Sequence, residues 1–198
     1  MNNPEYVKVD EKLYKINTDF RIALECNSIA EKKDIGDYER ALAIIYKLFG
    51  EEGLNCQNQE KLLELSLKYL SRNQKPSKDE NQDKYELDFS KCEGLIKSSF
   101  KFDYKYNPYE LEYLHWYDFC NDLENLSTSE FGNCCILNRI SSVLNQDVSK
   151  INDSKEKTKA RELKETLRKK YCVNTEKKIT KEQEESAKAF YKSLGLNL

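Results

Sequence analysis

Six glycines, three prolines, one histidine and one tryptophan are spread over 198 residues. Each shortage excludes something. An all-β protein needs many turn residues, and a nucleotide-binding α/β fold needs glycines at its phosphate loop, so both classes fall away. A lone histidine leaves a His-based triad or a zinc-hydrolase site short of groups. No apolar run approaches the roughly 18 residues of a membrane helix. The opening MNNPEYVKVDEK lacks the apolar stretch of a signal peptide. Seven cysteines, odd in number and without a C-x-x-C pair, argue against a disulfide framework and against a zinc knuckle. A cytosolic, reduced chain is expected, with cysteine acting as a small hydrophobe.

What is present is charge. Charged residues make up 34% of the chain and hydrophobic ones 38%, a balance that suits a helical protein with much exposed surface. The net charge of -2 implies no general affinity for nucleic acid. The distribution is uneven: residues 73–144 carry a net of -5 and residues 145–198 a net of +5.

Residues 6–16 alternate apolar and polar around Asp10–Glu11–Lys12, the pattern of a β-hairpin that would lean on helices. Thr18 and Asp19 offer an N-cap for a helix over 20–31. Asp37 is expected to cap a second helix over 38–49, ended by Gly50. A third runs over about 59–71. Residues 73–84 contain no apolar residue and read as a solvated, mobile loop. Asp88 opens a fourth helix to about Asp103, with Phe89, Cys92, Ile96 and Phe100 on one face. Asn107 followed by Pro108 reads as the cap and first position of a fifth helix. Its stripe would be Tyr109, Tyr113, Trp116, Cys120 and Leu123. Ser127 with Glu130 would open a sixth, holding Phe131, Cys134 and Cys135. Asp153 starts a charged arm to about Tyr171, and Thr180 a short last helix. The fold expected is mainly α: a helical bundle of about seven to eight helices with a small N-terminal β-hairpin. The whole of 1–198 reads as a single domain with a charged C-terminal helical arm from about 153.

No spacing of residues marks a catalytic centre, a metal site or a cofactor site. His115 has no second His or carboxylate cluster to complete a site, so it reads as a structural histidine using its ring nitrogens in hydrogen bonds. The aromatic set Tyr104, Tyr106, Tyr109, Tyr113, Trp116, Tyr117 and Phe119 has two readings. It packs between the fourth and fifth helices, or part of it stays exposed as a binding face. The Lys-rich helix over 155–171 has a narrow seam of Ala160, Leu163, Leu167 and Tyr171. It reads first as a solvated helix laid on the core, then as a protein-docking arm. Nucleic-acid binding comes last, because Glu156, Glu162 and Glu165 interrupt the basic face.

The order of features carries a resemblance. Ile16, Thr18, Asp19, Phe20 and Arg21 precede a helix. Asp88, Ile96 and Phe100 follow, then Leu114, His115, Trp116, Tyr117 and Phe119, then Arg139, then Ser149–Lys150–Ile151 before a basic helix. Over nearly the whole chain this resembles a tail-assembly-chaperone-like family of long-tailed phages and prophages of Gram-positive bacteria. Its members are encoded near the major tail and tape-measure proteins. The family pattern commonly has two Trp after the His; here they are Trp116 and Tyr117. The resemblance implies a non-enzymatic assembly factor without cofactor, working in the host bacterial cytoplasm. Its implied partners are tape-measure and tail-tube proteins, with homo-oligomerisation possible, no membrane, and nucleic acid unexpected. Contacts would be expected at Tyr113, Trp116, Tyr117 and Phe119, supported by Arg21 and Arg139. The alternatives are a structural tail or adaptor component retained in the virion, and a nucleic-acid-binding regulator.

Overall fold

A computed structural model describes residues 3–32, 34–74, 87–128 and 134–173. Among them are seven α-helices and one two-stranded antiparallel sheet, so the chain is mainly α with an N-terminal hairpin, as the sequence suggests. The loop expected over 73–84 falls mostly outside the described residues, as do Glu130, Phe131 and the expected last helix. Internal packing divides the chain into two compact units. One takes residues up to 77 with 113–119, and the other takes 78–112 with 120–176.

The first unit opens with β1 (Tyr6–Val9) and β2 (Lys12–Lys15), in the register Tyr6 to Lys15 and Val9 to Lys12. Asp10 takes the left-handed turn position (φ 51), one that Asp tolerates better than most residues. Val9, Tyr14 and Ile16 are buried, and Tyr14 meets Phe49 edge to face. The Asp19 carboxylate then accepts from the Arg21 N–H at 2.9 Å and caps α1 (Phe20–Glu31). Phe20, Ala23 and Cys26, one turn apart, are fully buried.

The second helix departs from expectation at both ends. α2 (Asp37–Leu54) has Gly36 at its cap, with the Gly36 N–H given to the Glu39 carboxylate; Asp37 is already helical. Gly50 bends the helix rather than ending it. It sits at φ 63 and ψ -153, and the helix resumes to Leu54. The Leu48 carbonyl, two residues before the bend, accepts from the Asn17 N–H at 2.7 Å. Asn58 caps α3 (Gln59–Leu70), which buries Leu62, Leu63, Ser66, Tyr69 and Leu70. α2 packs on α1 and α3, and the hairpin lies against α2 and α3.

In the second unit Asp88 accepts from the Ser90 and Lys91 N–H groups and caps α4 (Phe89–Asp103). Cys92, Leu95, Ile96, Ser99 and Phe100 form its buried face. The fully buried Ser99 hydroxyl accepts from the Leu137 N–H at 3.1 Å, satisfying an open donor in the first turn of α6 (Ile136–Asn145). α7 (Ser154–Tyr171) is capped by Asp153. Its end is strapped to the start of α4: the Tyr171 carbonyl accepts from the Asp88 N–H, and Lys91 donates to the Cys172 carbonyl at 2.8 Å.

The fifth helix is shorter than the Asn107–Pro108 signal suggests. That signal builds a single 3-10 turn, Pro108–Glu110, and the chain then runs non-helically to His115. Only Trp116–Glu124 forms α5. The sixth also starts late, at Ile136, with Cys135 at its cap and Cys134 outside it. All seven cysteines are free and six are buried.

Candidate protein-docking groove

The two motifs that carry the family resemblance meet each other. Asp19 and His115 form an isolated antiparallel bridge, 96 residues apart in sequence. Phe20 N–H donates to the Leu114 carbonyl at 3.0 Å, and Trp116 N–H to the Thr18 carbonyl at 2.8 Å. The bridge lets Phe119 stack on Phe20, with ring centres 4.4 Å apart, and Trp116 stack on Phe119. The Trp116 indole N–H donates to the Leu70 carbonyl at 3.1 Å, tying this segment to the end of α3.

His115 has a specific task here. It is buried and immediately precedes α5, where its Nδ1 accepts from the Tyr117 N–H at 3.0 Å. An accepting Nδ1 carries no proton, so the proton resides on Nε2, which faces the Pro4 carbonyl at 3.4 Å. The imidazole thus supplies the oxygen-like acceptor that Ser or Asp supplies at most helix starts. This is the structural histidine expected from sequence.

Beside the bridge lies a groove of about 810 Å³, all of whose lining residues belong to the first unit. Ile16, Leu48 and Phe49 form its apolar base, and Gly50 lies at the bend of α2. Tyr46 and Tyr113 are the large exposed side chains on it, 50% and 54% accessible. The Tyr113 hydroxyl is held to the Thr18 hydroxyl at 2.6 Å, which fixes this exposed ring in place. Glu5, Lys15, Lys47 and Glu52 add charges of both signs. Lys47 pairs with Glu25 and Lys12 with Glu52 at 2.8 Å; each carboxylate holds its lysine's pKa above the ordinary value.

The residues singled out from sequence do not form one face. Trp116 and Phe119 are core, not docking surface, because their rings are consumed by Phe20 and the end of α3. Tyr117 is half-buried and stacks on Tyr69 at 5.3 Å. Arg21 is half-buried, bonded to Asp19 at 2.7 Å with its guanidinium over Phe20. Arg139 is exposed on α6 and belongs to the second unit. Of the six, Tyr113 alone lines the groove. The aromatic set is likewise divided. Tyr104 and Tyr106 both donate to Asp122, one to its carbonyl and one to its carboxylate, and meet Phe100 edge to face within the second unit. Sequence reasoning missed Tyr46 and the 48–50 bend. A glycine inside an apolar pattern that continues to Leu54 is the sign of such a bend.

Mixed charge, tyrosine rings and a shallow apolar base suit protein side chains. Among the described residues, no group of three or more His, Cys, Asp and Glu is placed to hold a metal ion, and no helix is long and apolar enough to cross a membrane. No curated protein and no solved structure matches the chain. The family described as Bacteriophage Gp15 protein matches residues 2–171, a stretch that spans both bridged motifs, the groove and α7. The chain belongs to the Bacteriophage Gp15 protein family.

Proposed function

We propose that this phage protein is a non-enzymatic tail-assembly chaperone, acting in the cytoplasm of a Gram-positive host on the tape-measure or tail-tube protein. The observation that carries the reading is the membership of a phage family, joined to the resemblance of the Thr18–Arg21 and Leu114–Phe119 motifs to the tail-assembly family. Those two motifs bridge beside the groove, so residues that the resemblance singles out shape a surface suited to protein.

The physical logic is that of temporary cover. A tape measure is long and helical, and exposes apolar side chains until tube subunits close around it. A groove with two exposed tyrosines, one of them positioned, and an apolar base can hold such side chains with modest affinity, as displacement by the tube protein requires.

Co-expression with the tape-measure protein encoded nearby is the test. The tape measure's soluble fraction should rise several-fold, and mass spectrometry of purified particles should not find this chain. An unchanged soluble fraction, with this chain well folded, would refute chaperoning. Stoichiometric presence in particles would instead make it a structural tail component.

A further inference from the structure

α7 is an 18-residue helix with no buried residue. Its inner sector is set by Ala160, Lys164, Leu167 and Tyr171, which are half-buried. At 100° per residue, Lys155, Lys159, Leu163, Thr166 and Lys170 fall on a different, outward row, each three or four residues from the next. All five are exposed. Leu163, at the middle of this row, is 50% accessible, although leucine in a surface helix normally faces inward. No acidic residue lies on the row, and Lys155, Lys159 and Lys170 have no ion pair among the described residues. Glu156 and Glu162 border the row, three residues on either side of Lys159, and Glu165, farther round the helix, pairs with Arg168 and Lys169. The row itself thus carries three lysines and no acid, on a helix with eight basic and three acidic residues.

We infer that this row of α7 is a docking surface for an acidic helix of a partner protein. The partner would carry one apolar residue to meet Leu163 and carboxylates about one and two turns away to meet the lysines. The argument is charge complementarity with an apolar register point, the arrangement by which flanking charges choose partners in helix pairs. The row spans residues 155–170, about 22 Å at 1.5 Å per residue, a length that a helix laid alongside can follow. Phosphate backbones fit less well. Leu163 at the centre offers them nothing, Glu156 borders the row, and the chain as a whole is net negative. The surface is independent of the groove and of the chaperone reading.

The test uses the full chain and a fluorescent synthetic helix of about 20 residues with a Glu–Glu–Leu–Glu row at matching spacing. Anisotropy at low salt should show binding. K155E/K159E/K170E should weaken it more than tenfold and L163S several-fold, with circular dichroism unchanged. A peptide with lysines in place of the glutamates should not bind. Equal binding of both peptides, or no effect of the triple substitution, would overturn the inference. So would tighter binding of a duplex DNA oligonucleotide that the triple substitution abolishes equally. A concentration-dependent self-association abolished by the triple substitution would assign the row to a second copy instead, and overturn it too.

Discussion

Single residues in this chain do jobs that their type does not announce. Gly50 shows this. A Cβ there would meet nothing within 4 Å, so any cost of substitution is backbone strain at φ 63. Gly50→Ala should therefore lower stability by about 1 to 3 kcal/mol, read from the urea midpoint. Gly53 is the converse: an added Cβ would lie 2.7 Å from Phe49 Cβ and 2.8 Å from Ile45 Cγ2. Gly53→Ala should cost more than Gly50→Ala, since buried backbone-proximal atoms must move. If the two variants are equally stable, or Gly50→Ala is neutral, the bend is not where the strain lies. Cysteine chemistry gives a pH dependence. Burial pushes the Cys26 thiol from 9.0 up to about 12 and Cys92 up to about 11. Unfolded thiols ionise near 9 while the folded ones keep their protons, so the unfolded chain binds fewer protons above that pH. The stability these thiols contribute is intact below pH 9.0 and declines as pH rises towards about 12. Urea midpoints between pH 8 and 11 should fall, and Cys26→Ala should make the fall shallower; an unchanged slope would contradict the assignment.

Elements were legible where their chemistry is local. Asp19, Asp88 and Asp153 each bond a backbone N–H one or two residues into a helix, and each marks its helix in the sequence. The hairpin was legible for the same reason, through two-residue alternation. α5 was misplaced because Asn107–Pro108 opens a 3-10 turn and an α-helix with the same residues. What decides between them is distant: Leu114 and Trp116 give their backbone groups to Phe20 and Thr18, which a continued helix would have used internally. Nothing local announces a bond across 96 residues. This has a consequence for truncation. A chain ending at Ser77 keeps α1, α2 and α3 but loses the 113–119 segment, and with it the rings stacked on Phe20. It should show weak or no cooperative unfolding, and well-dispersed amide resonances from it would contradict the role given to the segment. Within the full chain Phe119→Ala should cost roughly 3 to 5 kcal/mol, monitored by the emission of the single buried Trp116.

For the whole molecule, composition and caps pointed to a mainly α chain, and the resemblance pointed to phage; both agree with the structure and the family match. The candidate site was only partly legible. Of the aromatic set, Tyr113 is exposed while Trp116 and Phe119 are core, and both readings stay open in the sequence because aromatic density alone does not say which way a ring faces. The groove needed the bend at Gly50 and the Thr18–Tyr113 contact, neither of which periodicity encodes. If that groove is where an assembly partner is held, its exposed tyrosine rings should matter more to binding than to folding. Surface substitutions away from packed features usually change stability by less than about 0.5 kcal/mol. The most direct measurement is the soluble yield of the neighbouring tape-measure protein co-expressed with the wild-type chain or with Tyr46→Ser/Tyr113→Ser. The wild type should raise that yield, and the double variant, its fold confirmed by circular dichroism, should lose most of the gain. A double variant that solubilises the tape measure as well as wild type would contradict the groove, and a wild type that solubilises nothing would contradict the function.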